Sequence, residues 1–141
     1  MDILLKILLM VHLFSMCIGI GIGIATAVAS AQLGDVKSDA GRAILGITKR
    51  FGGLGRAAII LLWITGISML LVAYPNPMDL GLTFFAKITA VIVLTVSIFV
   101  AGRLGPLVAA GDADARAKAK RLGMLNGGMA TLALILAVLT F

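Results

Sequence analysis

Apolar residues gather in four long runs along the chain, at about 3–31, 57–74, 81–102 and 123–141. A helix rising 1.5 Å per residue crosses roughly 30 Å of hydrocarbon in about 20 residues. The last three runs have that length. The first is longer than one crossing, so it should tilt or project beyond the hydrocarbon. Isolated strands would leave their backbone unpaired in lipid, whereas helices satisfy it internally. The pattern therefore predicts an all-α chain, a single domain over 1–141 built as an integral membrane four-helix bundle.

The breaks between runs agree with this division. Pro75-Asn76-Pro77 separates the second run from the third, and Pro106 is expected to stop the third. In 38–51, Ile44, Ile47 and Phe51 recur at helical spacing while Arg42, Lys49 and Arg50 face elsewhere. That spacing fits a short amphipathic helix on the membrane surface. An irregular loop is the alternative, because Gly41, Gly46, Gly52 and Gly53 weaken a helix. In 103–122, Asp112 can cap a helix, and Asp112–Arg116 and Asp114–Lys118 form i,i+4 pairs with the acid first. The fourth helix should begin near Asp112, in water, and continue into the membrane.

Composition supports lipid as the main solvent. Hydrophobic residues make up 61% of the chain and charged residues 13%, where soluble domains carry about 25% charged residues. The net charge of +6 raises nucleic acid as a partner, but the placement of the charges argues against it. Of the 12 Lys and Arg residues, only Lys6 and Lys87 lie outside two clusters, at 37–56 and 103–121. Two basic clusters flanking an apolar hairpin are what the positive-inside rule requires of cytoplasmic loops. The expected topology has cytoplasmic loops at 32–56 and 103–122, outward termini and an outward segment 75–80, in a bacterial inner membrane. Tyr74, Phe84 and Phe85 then fall near the outer interface, where aromatic rings prefer to lie. Ala29-Ser30-Ala31 has the form of a signal-peptidase site, but the apolar stretch before it exceeds a usual signal core, so an uncleaved first span is expected. The single Cys17 allows no intrachain disulfide.

Small residues mark the first span. Ser15, Gly19, Gly23, Ala27 and Ala31 form one i,i+4 row, and Cys17, Gly21, Ala25 and Ala29 form another. At 100° per residue, Gly19 and Gly21 lie about 200° apart, on nearly opposite faces. Small residues let helix backbones approach closely in lipid. Either both faces pack within one four-helix bundle, or the first-span helix is sandwiched between one neighbour from this chain and one from a partner, a second copy or a larger membrane complex. Gly123 and Gly127 repeat the device in the fourth span, where Asn126 is expected to hydrogen-bond across helices.

His12, the only histidine, stands about 14 Å along the first span. Ionisable residues within a membrane are functional candidates. Met16 follows one turn later, with Met10 and Cys17 near, and these soft ligand types suit copper or haem iron. A neutral histidine bonded to a neighbouring helix is the structural alternative. Lys87 lies about 9 Å into the third span, where it either snorkels to the surface or neutralises an anionic group. Trp63, mid-span, either packs in the bundle or walls a cofactor. The sequence holds no phosphate loop, zinc-ligand spacing or Ser-His-Asp set, and so no catalytic residues are assigned.

His12, Trp63-x-x-Gly66, Lys87 and Arg103 together resemble small four-helix membrane proteins of the HemJ-type protoporphyrinogen oxidase and CopD-type grouping. The resemblance covers most of the chain as a hydropathy layout. It implies haem b or a metal held by the first-span histidine, here His12. HemJ-type proteins carry further histidines, and this chain has none. Two functions are therefore expected in competition: a non-catalytic accessory or structural subunit packing against partner helices, and a haem- or metal-binding redox or transport protein built on His12.

The topology has a direct test. With Cys17 replaced by Ser, a cysteine at Asn76 should react with an impermeant thiol reagent added outside intact cells, and one at Ser38 should not. External labelling at position 38 would overturn the orientation.

Overall fold

The computed structural model describes residues 3–73 and 81–140. Among them are four helices, α1 (Ile3–Ala31), α2 (Asp39–Ala73), α3 (Leu82–Ala109) and α4 (Ala113–Thr140). Tyr74 and segment 75–80, with its Pro75-Asn76-Pro77 break, lie outside the described residues. α1 packs chiefly on α2 and α3 on α4, while the α1–α4 and α2–α3 seams are sparser. Among the described residues, α1, α2 and residues 84–109 of α3 are long and apolar enough to cross a membrane. α4 differs: its first turns carry Asp114, Arg116, Lys118, Lys120 and Arg121, and its apolar part starts only at Leu122.

Large apolar side chains stay outside along the helices, among them Ile3, Phe14, Ile24, Leu71, Val96 and Met124. The buried apolar cluster lies instead at the loop end. Leu33, Val108 and Ala115 form it, with Val36, Ile44, Leu45, Leu104 and Ala119 packed around them. There the α1–α2 connection meets the first turns of α2, the last turns of α3 and the start of α4.

Residues 39–51 are helical, as the first of the two readings expects, and not an irregular loop, but they do not form a separate short helix. They are the opening turns of α2, which runs unbroken for 35 residues. That is about 52 Å of helix, roughly 20 Å more than the hydrocarbon requires. Gly46, Gly52 and Gly53 lower helix propensity but do not end the helix, because Ile44 and Leu45 are held against the cluster. Its start is well specified. The Ser38 hydroxyl accepts from the Gly41 N–H at 3.0 Å and donates to the Asp35 carbonyl at 2.7 Å. Asp35 in turn accepts from the Lys37 N–H at 2.9 Å. This turn presses on Gly41, where a Cβ would collide with the Asp35 carbonyl.

Pro106 does not stop α3, which continues to Ala109. A proline loses one backbone donor and crowds the carbonyl four residues earlier. Only one further turn follows it here, and that earlier residue is Gly102. The helix ends instead at Gly111, whose φ is +91°. The Gly111 N–H donates to the Val108 carbonyl at 3.0 Å and the Asp112 N–H to Leu107 at 3.1 Å, a Schellman closure. Asp112 then caps α4, accepting from the Ala115 N–H at 3.0 Å. The basic segment 103–122 is thus two helix ends joined by a three-residue turn.

Arg116 departs from its expected pairing with Asp112. Its guanidinium donates to the Leu33 carbonyl and, at 3.3 Å, to the Gly34 carbonyl just beyond α1. A fixed planar cation suits the unsatisfied carbonyl end of a helix. Asp114 and Lys118 are likewise unpaired with each other: among the described residues the one ion pair is Arg42–Asp39, at 2.5 Å.

Two glycines of α2 should respond to alanine with opposite sign. Gly41→Ala forces a methyl against backbone and should cost about 1–3 kcal/mol. A Cβ at Gly46 meets nothing within 4 Å, so Gly46→Ala should gain up to about 1 kcal/mol of helix propensity. Thermal unfolding in detergent should lower the midpoint of the first variant and raise that of the second. Equal midpoints would contradict the turn described at Asp35–Ser38.

Candidate functional site

Among the described residues, hydrogen bonds between side chains cross three of the helix seams. His12 on α1 pairs through Nδ1 with Thr65 Oγ1 on α2, at 2.8 Å. The Trp63 indole N–H on α2 donates to Thr95 Oγ1 on α3, at 3.0 Å. The Ser97 hydroxyl on α3 pairs with the Asn126 side-chain amide on α4. Each hydroxyl is also tied to a carbonyl of its own helix, Thr65 to Leu61 at 2.7 Å, Thr95 to Val91 at 2.7 Å and Ser97 to Leu94 at 3.0 Å. Polar groups buried away from water are thereby satisfied.

The Thr65 hydroxyl can donate to the Leu61 carbonyl, and its oxygen is then free to accept from His12 Nδ1. In the tautomer that this arrangement suits, Nδ1 carries the proton and Nε2 keeps its lone pair. A hydrogen bond on one ring nitrogen that leaves the other basic is the usual setting of a ligating histidine. It is equally the setting of a histidine that only joins two helices.

His12 is half-buried and its ring lies against Gly66, where a Cβ would stand 3.4 Å from Cε1. Lys87 of α3 is also half-buried and close enough for its charge to act on His12. Its ammonium lies 5.7 Å from the Phe84 ring centroid, a cation–π distance. Three helices thus bring His12, Thr65, Gly66 and Lys87 to one level. Met16 is half-buried one turn along α1 from His12, Met10 and Cys17 are exposed, and Lys6 is exposed at the start of α1. Among the described residues, no three of His, Cys, Asp or Glu gather closely enough to hold a metal ion.

The small-residue rows are placed differently from the expectation of close contact within the chain. A Cβ at Gly19, Gly21, Gly23, Gly123 or Gly127 would meet no atom within 4 Å. Ala27 is exposed and Ala25 half-buried, and Ser15 is the buried residue of α1. The glycines that let α1 approach α2 stand on α2 instead. Gly55 faces Ile22 at 3.7 Å and Gly66 faces His12. These two are eleven residues apart, close to three full turns, and so share a face. Sequence reasoning missed this pair, and missed Thr65, Thr95 and Ser97 as the partners of His12, Trp63 and Asn126. The available signal was the rarity of hydroxyl residues inside the apolar runs. No protein-family model, curated protein or solved structure matches this chain.

The tautomer can be read directly, because one histidine gives one set of ring signals. In ¹⁵N-histidine NMR of the detergent-solubilised protein, Nδ1 should be the protonated nitrogen. Thr65→Val removes the acceptor and should shift the population toward Nε2–H, with a stability loss of about 0.6–1.7 kcal/mol. An Nε2–H tautomer in the unmodified protein would contradict the assignment.

Proposed function

We propose that this chain is a non-catalytic membrane subunit that spans the bilayer four times, with both termini outside, and offers α1 to a partner helix. The carrying observation is that the glycines of α1 stand open on both of its faces, Gly19 and Gly23 on one and Gly21 on the other. Gly19, Gly21 and Gly23 have nothing against them within their own chain. Each glycine weakens a helix by about 1 kcal/mol relative to alanine, so three of them cost roughly 3 kcal/mol without any return inside the chain. A partner helix approaching either face supplies the return for the glycines on it, through close backbone packing and Cα–H···O contacts. The exposed apolar side chains beside them, Ile18, Ile24 and Val28, suit either lipid or such a neighbour. The inner-membrane orientation is supported by the two basic regions and by the short acid-capped turn at 110–112.

A second reading keeps His12 as a ligand, and the Nδ1–H tautomer favours it. With Nε2 basic and Lys87 near, the site could take haem b, with the lysine beside an anionic substituent. The donor set is one nitrogen, so a further ligand would have to come from Met16 or from another chain.

Two variants and one spectrum separate these readings. Gly21→Leu and Gly23→Leu should leave the thermal midpoint of the isolated chain unchanged or raised, since each adds helix propensity and meets no neighbour. Sizing in mild detergent should show the unmodified protein in a species larger than one chain, and at least one of the two variants should abolish it. Unchanged assembly in both would remove the subunit proposal. A Soret band in the purified protein, lost in His12→Ala, would establish the second reading in its place.

A further inference from the structure

The loop end of the molecule holds two adjoining cavities that share Val108 and Arg116 but differ in charge. The larger, about 240 Å³, has Asp35 and Asp112 in its wall. The smaller, about 160 Å³, has no acid. Its polar lining is Ser30, Arg116 and Lys120, and its apolar lining includes Leu33, Val108 and Ala119. We infer that this smaller cavity binds the phosphate of an anionic phospholipid.

Charge selects the ligand. Arg116 already covers the carbonyls of Leu33 and Gly34, which offsets the partial negative charge at the end of α1. A guanidinium has five donors, so this leaves others for a ligand. Lys120 lies one helical turn further along α4, on the same face, and is exposed. Ser30, at the end of α1, completes the polar lining. Two cations and a hydroxyl around an acid-free hollow match the oxygens of a phosphodiester.

Position selects the lipid over a free ion. The cavity lies where α1 ends and where α4 passes from its charged turns to its apolar ones at Leu122. On both helices that is the headgroup level. The α1–α4 seam above it is sparsely packed, which leaves a path for an acyl chain beside the apolar floor. Basic pockets between helices at this level are a recurring form of lipid-headgroup site. The inference rests on membrane insertion of α1 and α4, and is independent of any partner for the glycine face of α1.

Native mass spectrometry of the full chain, released from a non-ionic detergent, provides the test. Phosphatidylglycerol, phosphatidylcholine and inorganic phosphate are titrated separately. One phosphatidylglycerol per chain should be retained, with phosphatidylcholine held at least about tenfold more weakly. Lys120→Glu, which leaves the Arg116 bonds intact, should weaken phosphatidylglycerol by about tenfold or more, and Ser30→Ala should weaken it by less. Lys118→Glu changes the net charge equally but lies off the cavity, and should leave binding unchanged. Equal losses in the two charge reversals would overturn the site in favour of general attraction. Equal retention of phosphatidylcholine, or displacement of the lipid by equimolar inorganic phosphate, would overturn the lipid assignment. Because the isolated chain is used, loss of α1-mediated assembly leaves every one of these outcomes readable.

Discussion

When lipid surrounds a helix, its apolar side chains gain nothing by leaving lipid for a neighbour, so helices are held by close packing and by hydrogen bonds. The polar contacts of this chain follow that constraint. His12–Thr65 joins α1 to α2, Trp63–Thr95 joins α2 to α3, and Ser97–Asn126 joins α3 to α4. Arg116 then returns from α4 to the end of α1. Each seam has its own polar tie, including the two sparsely packed ones. Interhelical bonds of this kind contribute about 0.6–1.7 kcal/mol each, so any single one is dispensable while the set fixes the order of the helices. The loop-end cluster of Leu33, Val108 and Ala115 adds hydrophobic packing to the few buried apolar residues of the spans, Ala58, Ile59, Ala90 and Ala133.

The glycines divide into two kinds by what stands against them. Gly41, Gly55, Gly66 and Gly102 each face another atom of the chain, and Gly111 holds a positive φ that closes α3. These serve the fold. Gly19, Gly21, Gly23, Gly123 and Gly127 face nothing, and they give the proposed function its physical footing. The same division explains why His12 admits two readings. Its bond to Thr65 is part of the ring of ties, and that bond also leaves Nε2 basic.

The helices and the three strongest apolar spans were legible because hydropathy over about 20 residues is a long, redundant signal. Local caps were legible too: Asp112 lies where a capping residue was expected. Other features depended on distances that no local pattern contains. Arg116 was assigned to Asp112, four residues away, yet its carbonyl partners are 82 and 83 residues distant in sequence. Pro106 was read as a stop, but a proline one turn from a helix end removes too little to decide where the end falls. The rotation of α1 decided which glycines met a neighbour. The rows of small residues could not supply it, since they left both faces of α1 equally suited to contact. The packing glycines turned out to be on α2, where Gly55 and Gly66 are too far apart to form a local motif.

The central claim is that the Gly21 face of α1, left open by its own chain, is covered by another helix in the membrane. In-cell photo-crosslinking from a benzophenone amino acid at Ile24, on that face, addresses it most directly. Leu71, 74% exposed on α2, is the lipid-facing control. The account predicts a discrete protein adduct from position 24 and lipid adducts alone from position 71. Lipid adducts alone from both positions would contradict it.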